Sequence, residues 1–215
     1  MPAQERASGR ASEVMDILLK EYPDPRIELN YTNPLELLVA TILSAQSTDR
    51  TINRITKDLF RKYRTPEDYA GADQKTFEEE IKSSGFYHNK AANVIATAKI
   101  LVERYGSKVP DNMEDLLTLP GVARKTANIV LANAYNIPAG IAVDTHVKRL
   151  SFRLGITKET DPDKVEKDLV ARIPRDCWIM VNRVMVLHGR YVCTAKKPAC
   201  DKCVLNKVCP SAYKV

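Results

Sequence analysis

Apolar residues recur at spacings of three and four along almost the whole chain, and alternating apolar–polar runs are nearly absent. Such a pattern builds helices with one buried stripe and leaves little material for a sheet. SEVMDILLKEY puts Val14, Met15, Leu18 and Leu19 on one face. NPLELLVATILSAQ opens with Asn33 as N-cap, Pro34 at the first helical position and Glu36 three residues after the cap. It is apolar nearly all round, which predicts a central buried helix. TDRTINRITKDLFRKY is amphipathic through Ile52, Ile55, Leu59 and Phe60, and TPEDYA starts a helix at Thr65. NKAANVIATAKILVERYG runs on Val94, Ile95, Ala98, Leu101, Val102 and Tyr105 and stops at Gly106. DNMEDLLTL, the stretch after Asp144, DPDKVEKDLVARIP and CWIMVNRVMVLHGRY complete an all-α reading of roughly ten helices. The NIPAG stretch at 136–140 is the best internal break, and no repeat or low-complexity tract stands out.

The 215 residues allow one large domain or two small ones. Hydrophobic content of 44% and charged content of 28% fit a globular protein, and no apolar run approaches the roughly 20 residues of a membrane span. MPAQERASGRASEV lacks the apolar segment of a secretory signal and reads as a short frayed tail. A transit peptide fits it less well, because two glutamates interrupt it. The net charge of +6 favours a polyanionic partner. Much of it is concentrated near the C-terminus, where Arg190, Lys196, Lys197, Lys202, Lys207 and Lys214 face one acid, Asp201.

LPGVARKTANIV places a Pro-Gly turn directly before a helix, so helix, Leu119-Pro120-Gly121-Val122, helix is a helix-hairpin-helix signal. Gly121 supplies a backbone conformation that other residues enter at a cost. The turn and helix start then present unpaired N–H groups, which suit a phosphate without reading base identity. Ala127, Val130, Leu131 and Ala134 form the packing stripe, and Lys125 lies opposite it. Two readings stand for Lys125. It is a solvated phosphate contact, or it is a nucleophile, because the positive helix end and Arg124 disfavour a further cation and favour the free amine. Asp144 in AVDTHVKRL follows an apolar triplet and reads as an N-cap, which also fixes a carboxylate rigidly.

Cys193, Cys200, Cys203 and Cys209 follow a C-x6-C-x2-C-x5-C pattern, with Cys177 standing apart as a buried or incidental thiol. Without a secretion signal, clustered thiols indicate a metal centre rather than disulfides. Zinc is the generic ion for four cysteines, and an iron–sulfur cluster is the alternative.

From about Ser12 to Cys209, LPGVARKTAN, AVDTHV, LHGRYVC and the cysteine spacing together resemble the endonuclease III family of DNA glycosylases. The resemblance implies a helix-hairpin-helix DNA glycosylase fold with a 4Fe-4S cluster on the four cysteines. It implies a six-helix barrel at about residues 27–137 and a cluster domain joining 1–26 to 138–215, with the DNA cleft between them. It makes Lys125 the nucleophile that forms an imine with the sugar, and Asp144 its carboxylate partner. Gln46 in ILSAQSTD matches the residue that fills the space left by an extruded nucleotide, although it also reads as a polar helix end. Gly121, Ala123, Arg124 and Thr126 belong to the hairpin that holds DNA, and Lys196 and Lys197 match a phosphate-gripping loop or are a solvated pair.

Two positions depart from the family pattern. Ala123 stands where a second hairpin glycine is usual, and its methyl is expected to tune DNA affinity. Phe86 stands where a leucine often wedges the opposite strand, and a phenyl ring can take that role. The implied activity is bifunctional: excision of oxidised pyrimidines from damaged double-stranded DNA, followed by cleavage of the abasic site through β-elimination. A mismatch glycosylase removing thymine or adenine is the near alternative, and a non-catalytic iron–sulfur DNA-binding module the distant one. Lys125 argues against the first and the pairing of Lys125 with Asp144 against the second. A monomer, acting in the cytoplasm or on the nucleoid without a membrane, completes the expectation.

Overall fold

A computed structural model describes residues 9–214, so the reading of the first eight residues as a tail or transit peptide lies outside the described residues. Among the described residues there are eleven α-helices and no strand. They are α1 (Arg10–Glu21), α2 (Pro34–Leu43), α3 (Asp49–Lys62), α4 (Pro66–Ala70), α5 (Gln74–Ile81), α6 (Tyr87–Arg104), α7 (Met113–Leu117), α8 (Arg124–Ala134), α9 (Thr145–Arg153), α10 (Pro162–Arg172) and α11 (Trp178–Tyr191). The chain divides into two compact units, one spanning Glu28–Ala139 and the other combining Met1–Ile27 with Gly140–Val215.

The Glu28–Ala139 unit carries seven α-helices, where the resemblance implies six; α4 and α7 are of five residues each. Polar caps start most of them. Asn33 Oδ1 accepts from Glu36 N at 3.0 Å, and Pro34 needs no partner at the first position. Thr65 and Asp68 accept from each other's backbone amides, a capping box for α4. Helix α2 is buried from Leu37 to Leu43, as its apolar sequence predicts. It ends at Leu43, short of Gln46, because Ser44 turns the chain toward the Thr48 cap of α3. Helix α5 escapes the periodicity reading: QKTFEEEI offers only Phe77 and Ile81 as buried anchors.

Phe77 completes an aromatic cluster. Tyr63 and Tyr69 stack with centroids 5.1 Å apart, and Phe77 meets them edge-on at 5.4 Å and 6.0 Å. Helix α6, 18 residues long, packs against α2, α4 and α5 and runs through the middle of the unit. Its stripe of Val94, Ile95, Ala98 and Leu101 is buried.

In the second unit, Val14, Met15 and Leu18 of α1 share a core with residues of α9, α10 and α11, among them Val147, Leu150, Leu169, Val181 and Val184. Cys177 packs at the edge of that core, half-buried. Phe77 has no exposed surface, so Phe77→Ala is expected to cost about 3–5 kcal/mol. A lower midpoint for the Glu28–Ala139 unit in urea unfolding checks this.

Candidate active site and cysteine centre

The hairpin joins α7 to α8. Leu119 and Val122 point inward and are buried, which anchors both sides of the turn. Val122 N donates to Leu119 O at 3.1 Å and closes it. Gly121 takes φ +75°, and a Cβ there would lie 2.9 Å from Asn93 Nδ2. Left-handed backbone alone costs another residue about 1–2 kcal/mol, and the near contact adds to that. Ala123 has φ −88° and ψ 171°, an extended conformation open to any residue, so its methyl enters without backbone strain.

Helix α8 begins at Arg124 with Ala123 as its N-cap, whose methyl side chain makes no cap hydrogen bond. Five of the seven α-helices in this unit have a side-chain cap: Asn33, Thr48, Thr65, Asp73 and Asn112 provide them. The two without one start at Phe86 and at Ala123. Uncapped N–H groups and the positive helix end together attract an anion. Gly121, Ala123, Arg124 and Lys125 are exposed there, and Thr126 is half-buried. Ala127, Val130 and Leu131 are buried on the opposite face, so the sequence-derived orientation of Lys125 is the observed one.

Phe86 and Gln46 are exposed and share a rare backbone state. Their φ values are 49° and 53°, in the left-handed region, where a bulky side chain costs roughly 1–3 kcal/mol. Gln46 sits in the turn between α2 and α3, past the end of α2, so it is not the helix-terminal residue its sequence context also allowed. Phe86 is 65% exposed. A large apolar ring held in solvent by a strained backbone is a feature that folding alone does not explain.

Residues of α6 back this surface, and sequence reasoning passed over them. Thr97 Oγ1 donates to Pro120 O at 2.9 Å inside the hairpin. Asn93 fills the space beneath Gly121. Lys90 is buried, and its Nζ donates to Ser84 O at 2.7 Å. The available signal was polar residues at i, i+3 and i+7 within an Ala-rich helix, a face that the apolar count ignores.

In the other unit, Asp144 is the N-cap of α9. Its Oδ1 accepts from His146 N at 2.9 Å and Val147 N at 2.8 Å, so both observed bonds fall on one oxygen. The preceding Ile141, Ala142 and Val143 are buried, and Asn182 Nδ2 donates to Ala142 O at 2.9 Å. The carboxylate therefore stands on a strap fixed from below. Beside it, Arg149 Nη2 donates to Gly189 O at 2.8 Å and lies 3.1 Å from His146 Nδ1. Burial lowers the His146 pKa, which favours the neutral ring.

Cys193, Cys200, Cys203 and Cys209 all line one apolar pocket together with Leu150, Leu154 and Leu205. Among the described residues, no three His, Cys, Asp or Glu side chains converge tightly enough to hold a metal ion. Four cysteine sulfurs lining one pocket are a donor set for a single zinc or for an iron–sulfur cluster. Burial pushes the Cys203 and Cys209 thiols up, and their neighbouring cysteines add to the effect. Four thiolates in such a place need a polyvalent cationic centre. Hydrogen-bond donors already face the sulfurs: Arg153 Nη1 lies 3.3 Å from Cys193 Sγ and the Tyr213 amide 3.4 Å from Cys200 Sγ. His188, 1% exposed, puts Nε2 3.2 Å from Cys203 Sγ, while Tyr22 OH lies 3.1 Å from its Nδ1. The loop between the first two cysteines exposes Lys196 and Lys197. Arg153 braces it through Thr194 O and Ala195 O, each at 2.8 Å.

An all-helical chain with this hairpin and this cysteine cavity is of the helix-hairpin-helix repair class. The family model described as HhH-GPD superfamily base excision DNA repair protein matches residues 39–175. A second model, the iron-sulfur binding domain of endonuclease III, matches residues 193–209, from the first of the four cysteines to the last. Endonuclease III of a Synechocystis strain is 51% identical over 203 residues, covering 94% of this chain and 93% of that protein. Endonuclease III of Bacillus subtilis is 45% identical over 194 residues, covering 90% and 88%. A solved structure of a trapped endonuclease III–DNA covalent intermediate superposes with a TM-score of 0.88 at 43% identity, covering 93% of this chain and 94% of that one. A thermostable thymine-DNA glycosylase shares the fold, with a TM-score of 0.86 at 22% identity. The chain belongs to the endonuclease III family, and its cofactor is a 4Fe-4S cluster.

Lys125 belongs to the Glu28–Ala139 unit and Asp144 to the other. Replacing Cys193, Cys200, Cys203 and Cys209 together by alanine is expected to abolish the visible absorbance of the cluster and leave its region unable to fold. Loss of helical circular dichroism and rapid proteolysis of the C-terminal segment check this.

Proposed function

We propose that the chain excises oxidised pyrimidines from double-stranded DNA as a monomer, with Lys125 as nucleophile and Asp144 as its carboxylate partner. The protein is a bifunctional glycosylase and abasic-site lyase of base excision repair. One observation carries the assignment of the nucleophile: Lys125 is an exposed lysine in the first turn of a helix whose N-cap, Ala123, supplies no side-chain acceptor, close to the left-handed Gly121.

In this reading the amides around Gly121 and Ala123 hold a DNA phosphate, with Arg124 and Thr126 beside them. The damaged nucleotide leaves the stack at a cost of a few kcal/mol. Gln46 fills the space it vacates and Phe86 wedges the opposite strand. The free amine of Lys125 attacks C1′, and the glycosidic electron pair departs with the base, which takes up a proton. Opening of the sugar ring at O4′ gives an imine between Nζ and C1′. A proton then leaves C2′ and its electron pair moves toward the imine nitrogen as an enamine; the return of that pair forms the C2′–C3′ double bond and restores the conjugated imine as the C3′–O pair leaves with the phosphate. The Asp144 carboxylate, held through Oδ1, has Oδ2 to stabilise positive charge on the sugar and to help deprotonate the attacking amine. The cluster supplies a cross-link that keeps the Lys196–Lys197 loop in shape to grip phosphates. We read Glu28–Ala139 as the barrel domain and the other unit as the cluster domain. The setting is the cytoplasm or nucleoid; no helix among the described residues is long and apolar enough to cross a membrane.

Borohydride reduction of the reaction with abasic-site DNA tests the nucleophile. Lys125→Gln is expected to abolish the trapped adduct while leaving binding to the same DNA intact, and peptide mapping is expected to find the sugar remnant on residue 125. Loss of binding together with the adduct would make Lys125 a phosphate contact. For Lys196→Ala and Lys197→Ala, binding is expected to weaken for every sequence, with the slope of log K against log salt falling by about one per lost contact. Filter binding between low and physiological salt measures it.

A further inference from the structure

We propose that Lys90 is a positioning residue for strand opening: its buried ammonium ties the Ser84–Phe86 turn to the same helix face that backs the hairpin. The proposal rests on the reading of Phe86 as the strand wedge.

Lys90 is 4% exposed, and its Nζ donates to the backbone carbonyl of Ser84 at 2.7 Å. Burial alone lowers its pKa; no neighbouring charge contributes. It is the fourth residue of α6, close to the helix end where the dipole also opposes a cation. As a contribution to stability this is a poor arrangement, since an apolar side chain of similar size would fill the same space without desolvating an ammonium. What an apolar chain cannot supply is the bond to Ser84.

That bond acts where the backbone needs it. Gly85 takes φ 71° and ψ 153°, a region essentially reserved for glycine, and Phe86 follows at φ 49°. Phe86 is also the N-cap of α6 and has no side-chain cap of its own. The turn thus runs through two consecutive positive-φ residues, strained at Phe86, and the ammonium grips the residue immediately before them. Nearby contacts lie on the exposed side: His88 Nδ1 is 2.6 Å from Glu78 Oε2, and Lys82 Nζ is 6.0 Å from the Tyr87 ring centre.

Lys90, Asn93 and Thr97 occur at i, i+3 and i+7, one face of the helix. The first holds the wedge turn, the second lies under Gly121, and the third holds Pro120 O. Seven residues of helix span about 10 Å. One rigid rod therefore fixes the separation between the group that separates the strands and the turn that holds the backbone. A change of an ångström in such a spacing is enough to cost about a hundredfold in rate.

The test compares cluster-loaded Lys90→Met, Phe86→Ala and the double variant on two substrates. One is duplex DNA with an abasic site; the other carries the same site inside a bubble that needs no opening. Lys90→Met is expected to melt no lower than the parent, to lose about ten- to a hundredfold in single-turnover cleavage of the duplex, and to stay within about twofold on the bubble. It is also expected to lose the fluorescence rise of 2-aminopurine placed opposite the site. The double variant should lose no more than the worse single variant, because both act through one wedge. Equal losses on duplex and bubble, multiplied losses in the double variant, or parental duplex rates for Lys90→Met would each overturn the proposal. If Lys90→Met fails to fold, Lys90→Gln, whose amide cannot reach as far, is put through the same comparison with the same criteria. Phe86→Ala with a parental duplex rate would remove the wedge reading itself. An impaired Phe86→Ala beside an unimpaired Lys90→Met would remove only the anchor.

Discussion

A helix cannot satisfy its own first amide hydrogens, and where this chain leaves them open decides what it can bind. Most helices of the Glu28–Ala139 unit close that deficit with Asn, Thr or Asp. At α8 the N-cap side chain closes none of it, because Ala123 has no acceptor to offer. The turn before it depends on Gly121 being left-handed, on Leu119 and Val122 being buried, and on Thr97 holding Pro120 O. Each of these fixes a direction for the open amides and for Lys125. Without the turn, the lysine would be another surface cation.

The other unit solves a different problem. Between Cys193 and Cys209 only Leu205 is fully buried, so this stretch has almost no apolar core of its own. Arg149 and Arg153 substitute for part of that core. Their guanidinium groups donate to the carbonyls of Gly189, Cys193, Thr194 and Ala195. The buried thiols of Cys203 and Cys209 complete the arrangement only when a cation compensates them. Fold and cofactor are therefore one stability problem in this region.

Much of this was legible in the sequence. Caps such as Asn33-Pro34 and Asp161-Pro162, the buried stripe of α8 and the four-cysteine spacing are local signals, and local signals survive without coordinates. Three kinds of feature were not legible. Helix α5 has two apolar anchors, too few to set a period. The left-handed backbone at Gln46 and Phe86 has no composition cue, since neither is glycine. The Thr97–Pro120, Lys90–Ser84 and His188–Cys203 contacts join residues whose partners only the fold determines. Lys90 is the sharpest case, because its sequence neighbours suggest nothing but a solvated cation.

The second unit is discontinuous, and that has a consequence for synthesis on the ribosome. Helix α1 is made first, yet the partners of Val14, Met15 and Leu18 lie on α9, α10 and α11, well over a hundred residues later. The Glu28–Ala139 unit holds all of its own core and can close while the rest is still being translated. Throughout that interval an oily strip on the nascent chain stays uncovered. The molecule is thus most vulnerable to sticking to its neighbours early in its life, before its last third emerges to shield what came out at the start.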